Sequence, residues 1–172
     1  MSSELFMLCN EQGQKTGTAT WLEAHTFPGK LHRAFSVYVF NENGSKILTQ
    51  KRSALKPLWP LFLANTCCSH PRDGEEVMEI APRRLHEECG FSCPLDIAGS
   101  YVYQAVDPGR GVEHEHVTIL RGCTEKMELP VWNPSEIEEL RWTTITRLLD
   151  DFSKHPEQYA PWFPLGLSLL LQ

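Results

Sequence analysis

The chain has 172 residues, 41% of them hydrophobic, with 22 acidic against 16 basic side chains and a net charge of −6. That length suits one domain, 1–172, able to bury its core without staples. The acidic balance argues against a nucleic-acid partner, which would need a basic patch over several phosphates, but leaves room for a small anionic ligand held by a few clustered cations.

"MSSELFMLCNEQGQ" carries no export signal, and the longest apolar tail, "PLGLSLLLQ", is far shorter than the roughly 20 residues a bilayer requires. A cytoplasmic protein with no membrane partner is expected. The cysteines, Cys9, Cys67, Cys68, Cys89, Cys93 and Cys123, contain no CxxC pair; a cytosolic chain of this length should keep them reduced.

In chain order, "FSVYVF" (35–40) predicts a strand, "NENG" a turn and "SKILTQKR" a second strand, so residues 34–52 read as a hairpin. A loop rich in Leu, Trp and Pro runs to about Asn65. Val77, Ile80, Ala81 and Leu85 recur at helical spacing before Gly90, which is placed to stop a helix. Pro82 falls inside that pattern and should kink the helix or divide it in two. "IAGSYVYQAV" and "EHEHVTILRGC" read as strands joined by "DPGRG", followed by a short strand around Arg141 and Trp142 and a further helix. Strands with interspersed helices indicate an α/β or α+β fold.

Three groups of residues carry chemical potential. Glu113 and Glu115 lie two apart in a strand and share one face, while His114 and His116 share the other; spacing alone does not choose which pair holds a metal, and a solvated strand end would look the same. His25 and His32 bracket the turn-prone "TFPGKL", and His70 follows the pair Cys67–Cys68. Three imidazoles and two carboxylates would form a mixed N/O shell suited to octahedral metals.

The helical stretch from Gly74, "GEEVMEIAPRRLHEECGF", resembles the Nudix box, G-x5-E-x7-R-E-U-x-E-E-x-G-U with U aliphatic or aromatic. Glu75, Arg83, Leu85, Glu87, Glu88, Gly90 and Phe91 match; Ser69 stands in place of the first Gly and Arg84 in place of the Glu after Arg83. Hydrolytic Nudix proteins hold Mg²⁺ on the box carboxylates, so the exchange of an acid for Arg84 leaves the box as scaffold and alters it as catalyst. Together with "LHRAFSVYVFN", "NTCCSHP", "VEHE" and "PWF", these departures make the chain similar to the type I isopentenyl diphosphate isomerases, Nudix-fold relatives that do not hydrolyse. The resemblance runs from about Gly17 to Phe163.

It implies a mixed β-sheet core flanked by helices and a small-molecule diphosphate substrate. It also implies a divalent metal (Mn²⁺, Mg²⁺ or Zn²⁺) on His25, His32, His70, Glu113 and Glu115. A second ion, Mg²⁺, would bridge Glu88 and the Cys68 backbone oxygen to the diphosphate. Cys68 is implied as the catalytic thiol and Glu115 as the partner acid/base, with Tyr103 and Trp162 beside them; Arg52, Lys56, Ser69 and Arg84 fall near the phosphates. Trp21, Leu61 and Ala64 stand where relatives usually carry Lys, Gly and Thr. A monomer or weak dimer is expected. A Nudix-type hydrolase and a diphosphate-binding protein without turnover are the competing readings.

Overall fold

The computed structural model describes residues 5–172. Its strands are β1 (Leu5–Cys9), β2 (Lys15–Thr20), β3 (His32–Asn41), β4 (Lys46–Arg52), β5 (Leu63–Ala64), β6 (Cys67–Ser69), β7 (Leu95–Asp107), β8 (Gly111–Thr124) and β9 (Ile137–Thr144). The helices are α1 (Trp21–His25), α2 (Val77–Cys89), α3 (Ile145–Lys154) and α4 (Trp162–Leu170). The sheet is mixed: β3 runs parallel to β8, and the other pairings are antiparallel.

β3 is its central strand and is buried on both faces. Ala34, Tyr38 and Phe40 join Phe163 and Leu167 of α4 on one side. Phe35, Val37 and Val39 join Ile80, Ala81, Leu85 and Cys89 of α2 on the other. This two-sided burial explains why "FSVYVF" reads as a continuous apolar run instead of an alternating one.

The expected hairpin forms, but its strands soon part. Phe40 is in register with Ile47, after which β5 and β6 enter between β3 and β4: Gln50 pairs with Ala64, and Val37, Ser36 and Phe35 pair with Cys67, Cys68 and Ser69. The loop expected up to Asn65 and beyond therefore contains two short strands. At their junction side chains replace the missing ladder. The Thr66 hydroxyl donates to the Leu48 carbonyl at 2.6 Å and accepts from the Val39 amide at 2.9 Å.

Helix α2 runs unbroken through Pro82, contrary to the expected division. The ring deprives only the Met78 carbonyl of its intrahelical partner, and burial of Ile80, Ala81, Leu85 and Cys89 outweighs that loss. Gly90 stops the helix as expected, in the left-handed conformation at φ 75°, with a side chain there excluded by the Val131 carbonyl 2.0 Å from the Cβ position. β1, β2 and α1 were not legible in the sequence, and the apolar tail is α4. Gly166 lets that helix seat on β3, since a Cβ would lie 2.1 Å from the Tyr38 hydroxyl. Leu61 is held at φ 66°, a conformation costing a side-chain-bearing residue about 1–2 kcal/mol. Among the described residues, no helix is long and apolar enough to cross a membrane.

Thr66→Val keeps the shape but strands two buried backbone groups. Urea denaturation should show a loss of about 2–5 kcal/mol, and Thr66→Ser should recover most of it. A loss under about 1 kcal/mol would remove the hydroxyl from this role.

Candidate active site

Register assembles the site. β3, β8 and β7 place His32, Glu115 and Tyr103 side by side, His32 opposite Glu115 and Glu115 opposite Tyr103. On β8 the alternation sends Glu113 and Glu115 to the same face as the core residues Val117 and Ile119; of the two pairs left open by spacing, the carboxylates are the ones that join the imidazoles. β6 sets Cys68 opposite Ser36, and the next turn delivers His70.

His25, His32, His70 and Glu113 offer ligand atoms that all lie within 4.8 Å of one another. Glu115 adjoins them, with Oε1 2.6 Å from His70 Nε2 and 3.7 Å from His32 Nε2. The tautomers follow from the outer hydrogen bonds. His25 Nδ1 donates to the Trp21 carbonyl and His32 Nδ1 to the Lys30 carbonyl, both at 2.8 Å, which turns each Nε2 lone pair inward. Those two nitrogens and Glu113 Oε2 are buried with no hydrogen-bond partner.

Buried acceptors left this way are costly unless something satisfies them, and neutral imidazoles oriented by carbonyls are a common feature of metal sites. The donor set fits a divalent cation. Burial and the neighbouring His70 lower the pKa of His25 and of His32 to about 4, so both are neutral and ready to ligate at physiological pH. Burial and Glu115 push Glu113 well up. For Glu115 burial opposes ionisation, but His70 and His32 outweigh it and hold the group well below the carboxylate range. Phe6 meets all three rings edge-on, at 5.0–5.9 Å between centroids, and Trp21 stacks on His25 at 4.6 Å and 14°.

In front of this cluster lies a cavity of about 180 Å³. Cys68, Ser69, His70, Glu113, Glu115, Tyr103, Trp162, Arg52, Lys56 and Arg84 all contribute to its wall. Tyr103 donates to Glu115 Oε2 at 2.8 Å. Burial raises the Cys68 thiol to about 11, against the opposing effect of its contacts with Ser36 at 3.3 Å and Asn65 at 3.1 Å. Arg52 donates to the Leu58 and Trp59 carbonyls, each at 2.9 Å, and lies over the Trp162 ring 5.1 Å from its centroid. Glu88, by contrast, lies behind Arg84, buried and paired with it at 2.7 Å. The "LKPLWPLFL" run divides between the two duties it could serve: Pro57 and Leu58 line the cavity, while Trp59 is packed in the core.

The chain matches the NUDIX domain family over residues 30–164. It is 41% identical over 156 residues to the isopentenyl-diphosphate Delta-isomerase of Nocardia farcinica, an alignment covering 90% of this chain and 87% of that protein. To the enzyme of the same name from Halorhodospira halophila it is 39% identical over 163 residues, covering 93% and 91%. The chain belongs to the isopentenyl-diphosphate Delta-isomerase family of NUDIX proteins. Among solved structures, a Deinococcus radiodurans protein superposes with a TM-score of 0.74 at 19% identity, covering 98% of each chain, which is a likeness of fold.

Within this family member, sequence reasoning missed several residues that shape the site. Asn65 Oδ1 accepts from both Cys68 Sγ and Trp162 Nε1, each at 3.1 Å; Ser36 touches the thiol; Glu136 engages Lys56 and Arg84. Asn65 and Ser36 lie inside motifs already singled out, but their partners are distant in sequence. Trp21 supplies a wall of the cavity and the carbonyl that orients His25.

Two outcomes follow from the cluster's electrostatics. For metal-free protein, His25 and His32 take up protons more readily unfolded, near pH 6.5, than folded, near 4. The conformational stability is therefore full above about pH 6.5 and falls as the pH is lowered to about 4. A melting temperature constant across that window would contradict this. A divalent ion at 100 times its Kd should add about 2.7 kcal/mol, roughly 5–10 °C in melting temperature for a chain of this size, and His32→Asn should remove most of that gain.

Proposed function

We propose that the chain interconverts isopentenyl diphosphate and dimethylallyl diphosphate, using Cys68 and Glu115 on opposite faces of the alkene. The observation carrying this reading is that a half-buried thiol and a buried carboxylate, each with its own polar supports, line the same small cavity.

The double bond moves by gaining a proton at its terminal CH₂, which leaves a tertiary cation, and losing one from the carbon nearer the diphosphate. One group must give a proton and the other take one; the two exchange roles with the direction of reaction. Ser36 and Asn65 aim the Cys68 sulfur, and Tyr103 and His70 aim the Glu115 carboxylate. An ion held by His25, His32, His70, Glu113 and Glu115 would orient that carboxylate and make its protonated form a stronger acid. Glu88, on exchanging its Arg84 partner, and the Cys68 backbone oxygen would hold a Mg²⁺ that supplies positive charge for the diphosphate, a hard-ligand set suited to it.

An alkene offers little for recognition. Binding rests on the diphosphate, through Lys56, Arg84, Arg52 and Ser69, and that remote binding positions the hydrocarbon. Trp162 presents its π system to the cation, a contact worth about 2 kcal/mol once water is excluded. Trp21, Pro57 and Leu58 help keep water from trapping the cation as an alcohol. Hydrolysis is disfavoured because Arg84 stands in place of one box carboxylate and Glu87 is engaged by Arg83 and Arg84.

With isopentenyl diphosphate and Mg²⁺ in D₂O, mass spectrometry should find deuterium in dimethylallyl diphosphate, with the diphosphate intact. Cys68→Ala should lower kcat at least about 100-fold, while Cys67→Ala, in the opposite face's core, stays within a few-fold. Equal losses would move the role off Cys68; release of phosphate would favour hydrolysis.

A further inference from the structure

Glu136 belongs to no motif and is the anion that joins two of the cavity's cations. Its turn is fixed from two sides: the Asn133 amide donates to the Glu88 carbonyl at 2.9 Å, and the Ser53 amide to the Glu136 carbonyl at 3.0 Å. From there Oε2 lies 2.6 Å from Lys56 Nζ, and Oε1 lies 3.3 Å from Arg84 Nη2. The pairs are partly shielded, with Lys56, Arg84 and Glu136 between 22% and 25% exposed in their side chains. Arg84 also meets Glu87 and Glu88, both at 2.7 Å.

Charge bookkeeping makes this arrangement unexpected for an anion site. Lys56, Arg84 and Arg52 bring three positive charges to the wall, while Glu136, Glu87 and Glu88 bring three negative ones to the first two. A bare diphosphate must displace a carboxylate to reach Lys56 or Arg84, and it then lies beside that carboxylate. Like charges at such range repel strongly where water is scarce, and a repulsive group is as effective a selector as an attractive one.

We propose that Glu136 is a selectivity residue that makes diphosphate binding conditional on a divalent cation. It penalises the free polyanion, while the magnesium complex of the same ligand, carrying less negative charge, meets Lys56 and Arg84 with little repulsion. Glu136 also keeps the two cations poised at the cavity mouth until that complex arrives. This rests on the reading of the cavity as a diphosphate site. It assigns the metal requirement in part to a residue outside both ion-binding groups.

The test is titration calorimetry of inorganic diphosphate into the full chain, in EDTA and in excess Mg²⁺. Glu136→Gln should bind the metal-free ligand about tenfold more tightly than the parent, while its affinity in Mg²⁺ changes less than about threefold. A residue that merely holds Lys56 and Arg84 in place would weaken both affinities on substitution; equal or weaker metal-free binding by Glu136→Gln overturns the proposal. Should that variant melt like an unfolded chain, Glu136→Asp serves instead, its shorter carboxylate loosening one pair, with a two- to threefold gain expected and no gain overturning the idea. If the parent binds no diphosphate even with Mg²⁺, the diphosphate reading of the cavity itself fails, and this one with it.

Discussion

The structure turns on one buried amide. Asn65 is fully enclosed and uses its whole hydrogen-bonding capacity. Its Nδ2 donates to the Val37 and Cys67 carbonyls at 3.0 and 3.2 Å, and its Oδ1 accepts from Cys68 and Trp162. The donated pair ties the inserted segment to the central strand; the accepted pair fixes the thiol and the indole. A buried amide so satisfied specifies one arrangement, because any shift would leave several groups unpaired at once. Thr66 does the same for the opposite edge of the split hairpin, so the two residues before the cysteines hold open the cleft in which the site is built.

Around that point the cavity is divided by chemistry. One end is lined by imidazoles and carboxylates, of which His25, His32 and Glu113 turn unpartnered atoms inward; the other by Lys56 and Arg84, already paired with acids, and by Arg52, held on backbone carbonyls. Between them lie Cys68, Tyr103 and Trp162, where apolar neighbours keep the thiol protonated. The family relationship accounts for the conjunction, and the arrangement of burial explains how each group keeps the charge state its position demands.

Much of this was legible in the sequence. β3 was found because its dense β-branched and aromatic run is buried on both faces, and the stop at Gly90 because a glycine takes the left-handed conformation beneath the Val131 carbonyl. Of the residues singled out for the site, Cys68, His70, Glu113, Glu115, Tyr103 and Trp162 line a shared cavity, His25 and His32 cluster with His70 and Glu113, and Glu88 lies behind Arg84. What could not be read has a physical reason in each case. "KTGTAT" forms β2 at the sheet's edge with little apolar content to mark it, and "LFMLC" shows no clean alternation. "WLEAH" is too short for periodicity to register, though its Thr20–Glu23 capping box was a usable signal. Pro82 looked disruptive because propensity ignores the burial on either side of it. Asn65, Ser36 and Glu136 escaped because their roles are set by partners far along the chain.

The row of His32, Glu115 and Tyr103 across three neighbouring strands has a consequence for assembly. Adjacent residues on a strand point to opposite sides, so sliding β8 by a single position would carry both acids away from the imidazoles and bring His114 and His116 in their stead. The parallel β3–β8 contact joins segments about eighty residues apart, and it closes late relative to local turns. Competence is thus withheld until the β3–β8 pairing locks: chains lacking it would hold the ingredients of the metal centre without presenting it.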